Sequence, residues 1–209
     1  MYGIIFKTNL KTIIAVCFLW ATLNLNAQEN EKYRSLKLVI GAGYGHYFNN
    51  FTNVLDQDVI NNRPEFFGKL LWRPEHRLGI GIESGYYLMY STTRIQTDNG
   101  SSKLTSSLKV VPIFLTLSMN VVKHLDLNFA TGWTSMIYFI NINKSKTNKV
   151  VGQTYSMSNF ALGITYSIPL SKKIDLGSEI KYLNIGKTND HHLSASVCMS
   201  YKLFRRKVN

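Results

Sequence analysis

The sequence lacks any hydrophobic run long enough to cross a bilayer as a helix. Its most apolar segment, 12–23, is about a dozen residues long, whereas a transmembrane helix needs about 20. The segment follows Lys7 and Lys11 and no acidic residue, which is the arrangement that opens a secretory signal. We therefore interpret it as the apolar part of a signal peptide, with an uncleaved anchor helix as the alternative.

The end of this leader carries a cleavage pattern. The chain reaches the small residue Ala27, and polar residues begin at Gln28. Because a small residue before a polar segment is what signal peptidase needs, we predict cleavage after Ala27. The expected organisation is a signal peptide at 1–27 and a single exported domain at 28–209.

Cysteine and proline are scarce. Cys17 lies inside the apolar part of the leader, and Val16 before it is not the small residue that lipidation would need. Cys198 is then alone in the mature chain, so an intramolecular disulfide is excluded. The 4 Pro stand against 14 Gly and 12 Tyr, a balance that favours closely packed β-strands.

Acidic residues are few relative to basic ones. The chain has 24 Lys and Arg against 12 Asp and Glu, a formal net charge of +12. Nucleic-acid binding is one use of such a balance, but export argues against that partner. We expect solvated loops and contact with anionic lipid instead.

After residue 28, polar and apolar residues alternate with a period of two. The clearest segment is 193–203. One of its faces is apolar: Leu193, Ala195, Val197, Met199, Tyr201 and Leu203. The other is small or polar: Ser194, Ser196, Cys198, Ser200 and Lys202. Since successive side chains of a strand point to opposite faces, the pattern predicts a wall with lipid on one side and a polar interior on the other.

Eight such segments are present, and bacterial single-chain barrels have an even number of strands. They are 36–47, 64–73, 78–91, 104–119, 125–139, 153–168, 175–186 and 192–203. We therefore predict an all-β, eight-stranded, antiparallel, up-and-down transmembrane barrel. The sheet must close, because unpaired backbone groups at an edge are costly in hydrocarbon. Pro112 cannot donate to a ladder, so a bulge or break is expected there.

The connections alternate in length, which orients the barrel. Short turns are expected at 74–77, 120–124 and 169–174, longer loops at 48–63, 92–103 and 140–152, and a tight hairpin at 187–191. Outer-membrane barrels have short periplasmic turns, so both termini are expected in the periplasm. Aromatic side chains should mark the two interfaces. The periplasmic set is Trp72, Tyr166, Tyr201 and Phe204, and the outer set is Tyr44, Tyr90, Tyr138 and Tyr182.

The inward faces carry charged residues. The expected set is Lys37, Lys69, Arg73, Glu83, Lys109, Asp175, Glu179, Lys181 and Lys202. In the simplest registers Lys69 faces Glu83 and Asp175 faces Lys202. Eight strands enclose a space that side chains fill, so we predict a polar network that satisfies the lumen. A proton or ion path is the alternative.

The sequence offers little chemistry. Asp190, His191 and His192 are the densest metal-capable group, but adjacent histidines of a strand point to opposite faces. We interpret them as a surface turn. An outer-membrane hydrolase would need a base, an orienting carboxylate and a nucleophile in contact; His46 and Glu83 are the candidates, yet His46 is expected on the outward face. We predict no catalytic residue, no metal and no cofactor.

Two further alternatives concern ligands. Lys144, Lys146 and Lys149 lie in the third long loop, where they are either simply solvated or bind anionic lipopolysaccharide sugars. A soluble periplasmic barrel that binds an apolar ligand would invert the pattern, with apolar residues inside. The inward lysines and acids argue against it.

Several motifs resemble those of the PorT-like outer-membrane β-barrel proteins of the Bacteroidetes. They are the signal ending at Ala27 before Gln28, the segment 38–44 (LVIGAGY) and the segment 110–117 (VVPIFLTL). The resemblance covers the mature chain and implies an eight-stranded outer-membrane barrel. Some members of this family are linked to secretion. The chain departs from the usual aromatic ending, because 205–209 follow the last aromatic residue.

The function expected from the sequence is that of an integral outer-membrane protein with a structural, adhesive or secretion-accessory role. Its expected partners are outer-membrane lipid and lipopolysaccharide, the outer-membrane insertion machinery and secretion-system components. The rival classes are an outer-membrane enzyme acting on lipid or peptide and the soluble ligand-binding barrel.

Overall fold

The computed structural model describes residues 33–48, 59–74, 77–96, 102–142 and 149–207. The predicted leader, with Cys17 and the predicted cleavage site, lies outside the described residues. The strands are β1 (Tyr33–Phe48), β2 (Val59–Ile60), β3 (Asn62–Arg73), β4 (Leu78–Gln96), β5 (Ser102–Val122), β6 (Leu125–Ile142), β7 (Lys149–Pro169), β8 (Ile174–Ile185) and β9 (Asp190–Lys207). None of the described residues forms a helix of the length and hydropathy needed to cross a membrane.

The strands form one closed antiparallel sheet. Each long strand pairs with its neighbours in the chain, β9 pairs with β1, and β4 pairs with β5. Two-residue β2 also pairs with β4 and continues the line of β3. Counting β2 with β3, the described chain gives eight wall strands, as predicted.

The stagger of the pairing sets the width of the barrel. A path perpendicular to the strands that leaves β1 at Lys37 returns to β1 at Tyr47, ten residues further along. With eight strands this stagger implies a tilt of about 40° and an interior just wide enough for side chains. The lumen is therefore a packed core.

The faces of the wall match the alternation in the sequence. The outward face of every long strand exposes large apolar residues, among them Ile82, Leu115, Leu162 and Val197. The inward face combines apolar residues with buried charges. Such an arrangement is the reverse of a soluble ligand-binding barrel, because the apolar surface looks out.

Two ends of the barrel can be distinguished. The end that holds the start of β1 and the close of β9 also holds the turns at 74–77, 123–124 and 170–173, and we name it the terminal end. At the opposite end, named the loop end, β1 ends at Phe48, β4 at Gln96 and β6 at Ile142, and the turn 186–189 joins β8 to β9. The predicted alternation of connections therefore follows the two ends.

The strands near the loop end are longer than predicted. Gln96 of β4 pairs with Ser102 of β5, and Asn141 of β6 pairs with Lys149 of β7. The segments 92–103 and 140–152, expected as loops, are therefore mostly strand. These segments are polar and were therefore not recognised as strands. A hairpin that extends beyond the apolar belt does not need an apolar face.

Irregularities interrupt the ladders at three places near this region. The pairing of β4 with β5 skips the residues opposite Pro112, between Ser84↔Ile113 and Tyr87↔Val110, as the missing N–H predicts. A second irregularity follows Leu88 in β4, and a third opposes residues 157–158 of β7 to a single residue of β6. The gap opposite Pro112 keeps the register, whereas the other two irregularities are bulges, and each changes which side of the wall the next residues face.

Candidate functional site

The centre of the lumen is occupied by a ring of four alternating charges, which we name the quartet: Lys69, Glu83, Lys181 and Glu179. Lys69 Nζ donates to both carboxylate oxygens of Glu179, at 2.8 and 2.6 Å, and lies 3.4 Å from Glu83. Lys181 Nζ donates to Glu83 and lies 3.0 Å from Glu179. All four side chains are at most 3% exposed.

The quartet is supported by its surroundings. Lys181 Nζ lies 4.1 Å and Lys69 Nζ 5.0 Å from the centre of the Phe67 ring, which favours both cations. Lys181 Nζ also donates to Tyr87 Oη at 3.2 Å, and Thr165 Oγ1 donates to Glu179 at 2.8 Å. Buried charges persist only when they are paired and hydrogen-bonded, and the quartet meets both conditions.

Two further charge clusters lie towards the terminal end. Asp175 accepts from Lys202 and, at 3.5 Å, from Lys37. Arg73 donates to Asp126 and, at 3.2 Å, to Ser118. The ion pairs of the described residues join five lysine or arginine side chains to four carboxylates, Glu83, Asp126, Asp175 and Glu179.

Little space remains between these groups. A cavity of about 30 Å³ lies between the quartet and the terminal-end clusters, lined by residues that include Lys69, Asp175 and Cys198. A water occupies about 30 Å³ of liquid, so a hydrated ion does not fit. The ion path that the sequence left open would need more space than this cavity offers.

Between the quartet and the loop end, the lumen holds a glutamate and a histidine that were not predicted to face inward. Glu65 is fully buried and accepts from Ser196 Oγ at 2.8 Å. His192 Nδ1 lies 3.8 Å from Glu65, beyond hydrogen-bond distance. Interpreting His192 as part of a surface turn was wrong, since it is 1% exposed and faces inward from β9. His192 shares its face of β9 with Ser194 and Ser196, because alternate residues of a strand point to the same side. Glu65 shares its face of β3 with Lys69 in the same way. This alternation could have predicted that both side chains face inward.

Tyrosines close the loop end of the lumen. The rings of Tyr47 and Tyr90 lie 5.4 Å apart, and Tyr138 packs against the same core. Asp190, 2% exposed, also lies here rather than in a surface turn. Tyr90 and Tyr138 were expected at the outer interface. Tyr90 faces inward because the bulge after Leu88 reverses the alternation of β4.

Lys109 does not belong to the lumen network, contrary to the prediction. Its neighbours Leu108 and Val110 are 1% and 0% exposed and face inward, so Lys109 faces outward. Its Nζ lies 4.5 Å from the ring centre of Phe139 and 5.6 Å from that of Tyr86. The sequence hid this register, because the segment 110–117 is apolar on both faces.

The residues considered for catalysis are not brought together. His46 lies on the outward face, where Nδ1 is 2.6 Å from Asn62 Oδ1, whereas Glu83 is inside the quartet. His191 contacts Tyr182 on the outward face. Within the described ranges no three His, Cys, Asp or Glu residues are grouped to hold a metal ion.

No protein-family model matches the chain, and no curated protein matches it. Solved structures do. Ail, the attachment invasion locus protein of Yersinia pestis, is 11% identical, with 83% of this chain and 99% of that chain covered and a TM-score of 0.51. Neisserial surface protein A is 11% identical, with 81% and 99% covered and a TM-score of 0.42. OprG from Pseudomonas aeruginosa is 6% identical, with 84% and 97% covered and a TM-score of 0.43.

The likeness to Ail is one of fold. The protein is a closed, all-β, eight-stranded antiparallel barrel of the class found in outer membranes. Its candidate site is the charge network that fills the lumen.

Proposed function

We propose that the protein is an integral outer-membrane barrel that does not conduct and that anchors its loop-end hairpins at the cell surface. The observation that carries the proposal is the division of the wall: large apolar side chains cover the outside, and a network of ion pairs fills the inside. An apolar exterior needs hydrocarbon around it, and a filled interior leaves the hairpins as the part available for recognition.

We infer the orientation of the barrel from its connections and the export of the chain from its leader. The terminal end, with its short turns, faces the periplasm, and the loop end faces outward. The leader at 1–27 directs export and is removed after Ala27. Strand pairing beyond Lys109 continues for seven residues to Ser102, which raises the hairpins about 17 Å above the apolar belt.

An adhesive role fits the charge of these hairpins. The connection between β6 and β7 contains Lys144 and Lys146 and no acidic residue, a composition suited to anionic sugars. Ail, whose fold this chain shares, has been solved with a heparin analogue, sucrose octasulfate. We infer that the partner of the hairpins is an anionic surface polysaccharide. Outer-membrane lipid, lipopolysaccharide and the insertion machinery are the partners that membrane assembly itself requires.

The role proposed here is binding rather than catalysis. The acid and histidine pair of the lumen, Glu65 and His192, is at most 1% exposed, and a substrate would have to displace the tyrosines above it. His46, on the outer surface, contacts Asn62, and no ion pair of the described residues includes it.

Heparin binding by the purified protein in detergent tests the adhesive role. The key variant carries Lys144→Ala, Lys146→Ala and Lys149→Ala. Its matched control carries Lys172→Ala and Lys173→Ala, which removes exposed charges from the terminal end. We expect salt-sensitive binding that the loop variant loses and the control keeps.

The same preparations test the filled lumen. In planar bilayers we expect no conductance steps at 1 M salt, because the quartet blocks the bore. Steady channels would contradict the non-conducting part of the proposal. Heparin binding that is absent, or equal in both variants, would contradict the adhesive part.

A secretion-accessory role is the second candidate. The segments 38–44 and 110–117, which resemble those of PorT-like barrels, favour it. Chemical crosslinking in the native membrane followed by purification of the chain should then recover secretion components. Recovery of the insertion machinery alone would count against this role.

A further inference from the structure

Lys109 occupies an unusual place for a charged residue. Apart from basic residues at the terminal end, it is the only lysine, arginine, aspartate or glutamate whose described side chain points outward from a strand. A cation on the lipid face destabilises a barrel strongly at the bilayer centre and hardly at all at the interface. Its height along the wall therefore decides what surrounds it.

That height follows from the strand. Met119 pairs with Leu78, the first residue of β4, at the terminal end. Lys109 lies ten residues towards the loop end, which at a tilt near 40° is a rise of about 25 Å. The apolar band of such barrels is about 25 Å tall. Lys109 therefore lies at the level of the lipid phosphates of the outer leaflet.

The ammonium group is held in place but not neutralised. The rings of Phe139 and Tyr86 lie 4.5 and 5.6 Å from Nζ, and aromatic faces favour a cation without removing its charge. Among the ion pairs of the described residues none includes Lys109. Its charge is thus directed towards the membrane surface.

An apolar groove begins directly beneath this residue. Its volume is about 320 Å³, and its lining is Val111, Ile113, Trp133, Ser135, Tyr155 and Met157. Val111 is the next outward residue of β5 after Lys109, on the side of the membrane centre. Trp133, Tyr155 and Met157 are 60%, 63% and 75% exposed. These exposed, mostly apolar side chains form a cleft that an acyl chain can occupy.

A bulge in β7 builds one side of the groove and is held by specific hydrogen bonds. Asn159 Nδ2 donates to the carbonyl oxygens of Ser156 at 2.8 Å and Gly132 at 3.1 Å. Ser156 Oγ donates to Asn159 Oδ1 at 2.7 Å. The groove is therefore shaped by buried polar contacts of the wall and does not depend on loop side chains.

We propose that Lys109 and this groove form a binding site for a phosphorylated lipid of the outer leaflet. The phosphate contacts the ammonium group between Tyr86 and Phe139, and one acyl chain lies along Ile113 and Trp133. Charge complementarity selects this occupant, because a second copy of the chain would bring another Lys109 or an uncharged wall to the same height. The inference rests on the proposed membrane location.

Fluorescence quenching at Trp133 tests the site. The mature chain has two tryptophans, Trp72 and Trp133, so Trp72→Phe leaves Trp133 as the reporter. The protein is reconstituted into phosphatidylcholine vesicles that contain either brominated phosphatidic acid or brominated phosphatidylcholine. We expect phosphatidic acid to be preferred at Trp133 by about fivefold. Lys109→Met should reduce the preference to about one, and Lys109→Arg should keep it.

A reciprocal background separates failure of the site from failure of the membrane location. Trp133→Phe leaves Trp72, which lies on the outward face at the terminal end and is 47% exposed. If neither tryptophan is quenched, the membrane location is wrong. If Trp72 is quenched and Trp133 is not, lipid does not reach the groove, as when a second copy of the chain covers it, and the lipid site is overturned. Equal quenching of Trp133 by both lipids, or a preference that survives Lys109→Met, also overturns it.

Discussion

The quartet makes the most demanding prediction, because its four charges depend on one another. In the variant Lys181→Met, Glu83 and Glu179 lose a shared cation, and Lys69 remains as the only cation between two buried carboxylates. Removing one partner from a buried ion pair costs about 3–5 kcal/mol. We expect a loss of that size in the free energy of unfolding, since every member is at most 3% exposed.

The double variant Lys181→Met/Glu83→Gln provides the test of mechanism. It restores neutrality and leaves the contact between Lys69 and Glu179, 2.6 Å long, in place. We expect it to regain more than half of the stability that Lys181→Met loses, because the uncompensated carboxylate is gone. An independent pair of sites would instead show additive losses.

Urea titration of the protein in lipid vesicles, followed by tryptophan fluorescence and gel mobility, measures these differences. Lys172→Met, on an exposed turn at the terminal end, is the control and should change stability by less than about 0.5 kcal/mol. A loss below about 1 kcal/mol for Lys181→Met, or additive losses in the double variant, would refute the assignment of an interdependent charge ring.

Three smaller predictions concern the lumen and the leader. Gly45→Ala should destabilise the barrel by about 1–3 kcal/mol, since the new Cβ would lie 2.1 Å from the His192 ring; the losses of Gly45→Ala and His192→Ala should be less than additive in the double variant, and additivity would contradict the clash. Cys198, which is buried, should resist a polyethylene-glycol maleimide in the folded protein and react in urea, whereas rapid labelling of the folded barrel would contradict an inward thiol. N-terminal sequencing of the membrane-associated chain should begin at Gln28, and a start at residue 1 would favour the uncleaved anchor.

The parts of the fold that the sequence predicts well are those where a strand separates two different environments. The segment 193–203 keeps strict alternation, and its outward face is apolar in the structure as predicted. A slip by one residue would move every side chain to the wrong face, so such a segment has one register. In the segment 110–117 both faces are apolar, so the alternation does not determine which face points inward. The prediction that Lys109 faces the lumen was wrong for this reason.

Bulges and contacts between distant strands are the parts that local patterns miss. The bulge after Leu88 adds one residue to β4 and turns Tyr90 inward, and nothing in the local composition marks it. Lys69 and Glu179, which are in contact, are 110 residues apart in the chain. Lys69 and Glu83 are opposite each other as predicted, but the strongest partner of Lys69 comes from across the lumen, which only the closed barrel defines.

The last prediction concerns the outward face of the wall. The cost of placing a charge on this face differs between a membrane protein and a soluble protein. Val197 is 63% exposed and lies on β9 six residues before Leu203, which is 49% exposed near the terminal end. That separation corresponds to a difference in depth of about 15 Å. In a bilayer, Val197→Lys should cost about 2–4 kcal/mol and Leu203→Lys about 0–1 kcal/mol.

Water around the barrel would remove this difference. An exposed valine replaced by lysine on a soluble protein changes stability by about 0.5 kcal/mol or less at either position. Urea titrations of both variants in phosphatidylcholine vesicles therefore measure the solvent of the outer wall directly. Equal, small losses would reject the membrane location despite the apolar surface. A loss that is large at Val197 and small at Leu203 requires hydrocarbon at mid-wall, because no contact inside the protein distinguishes the two outward side chains by depth.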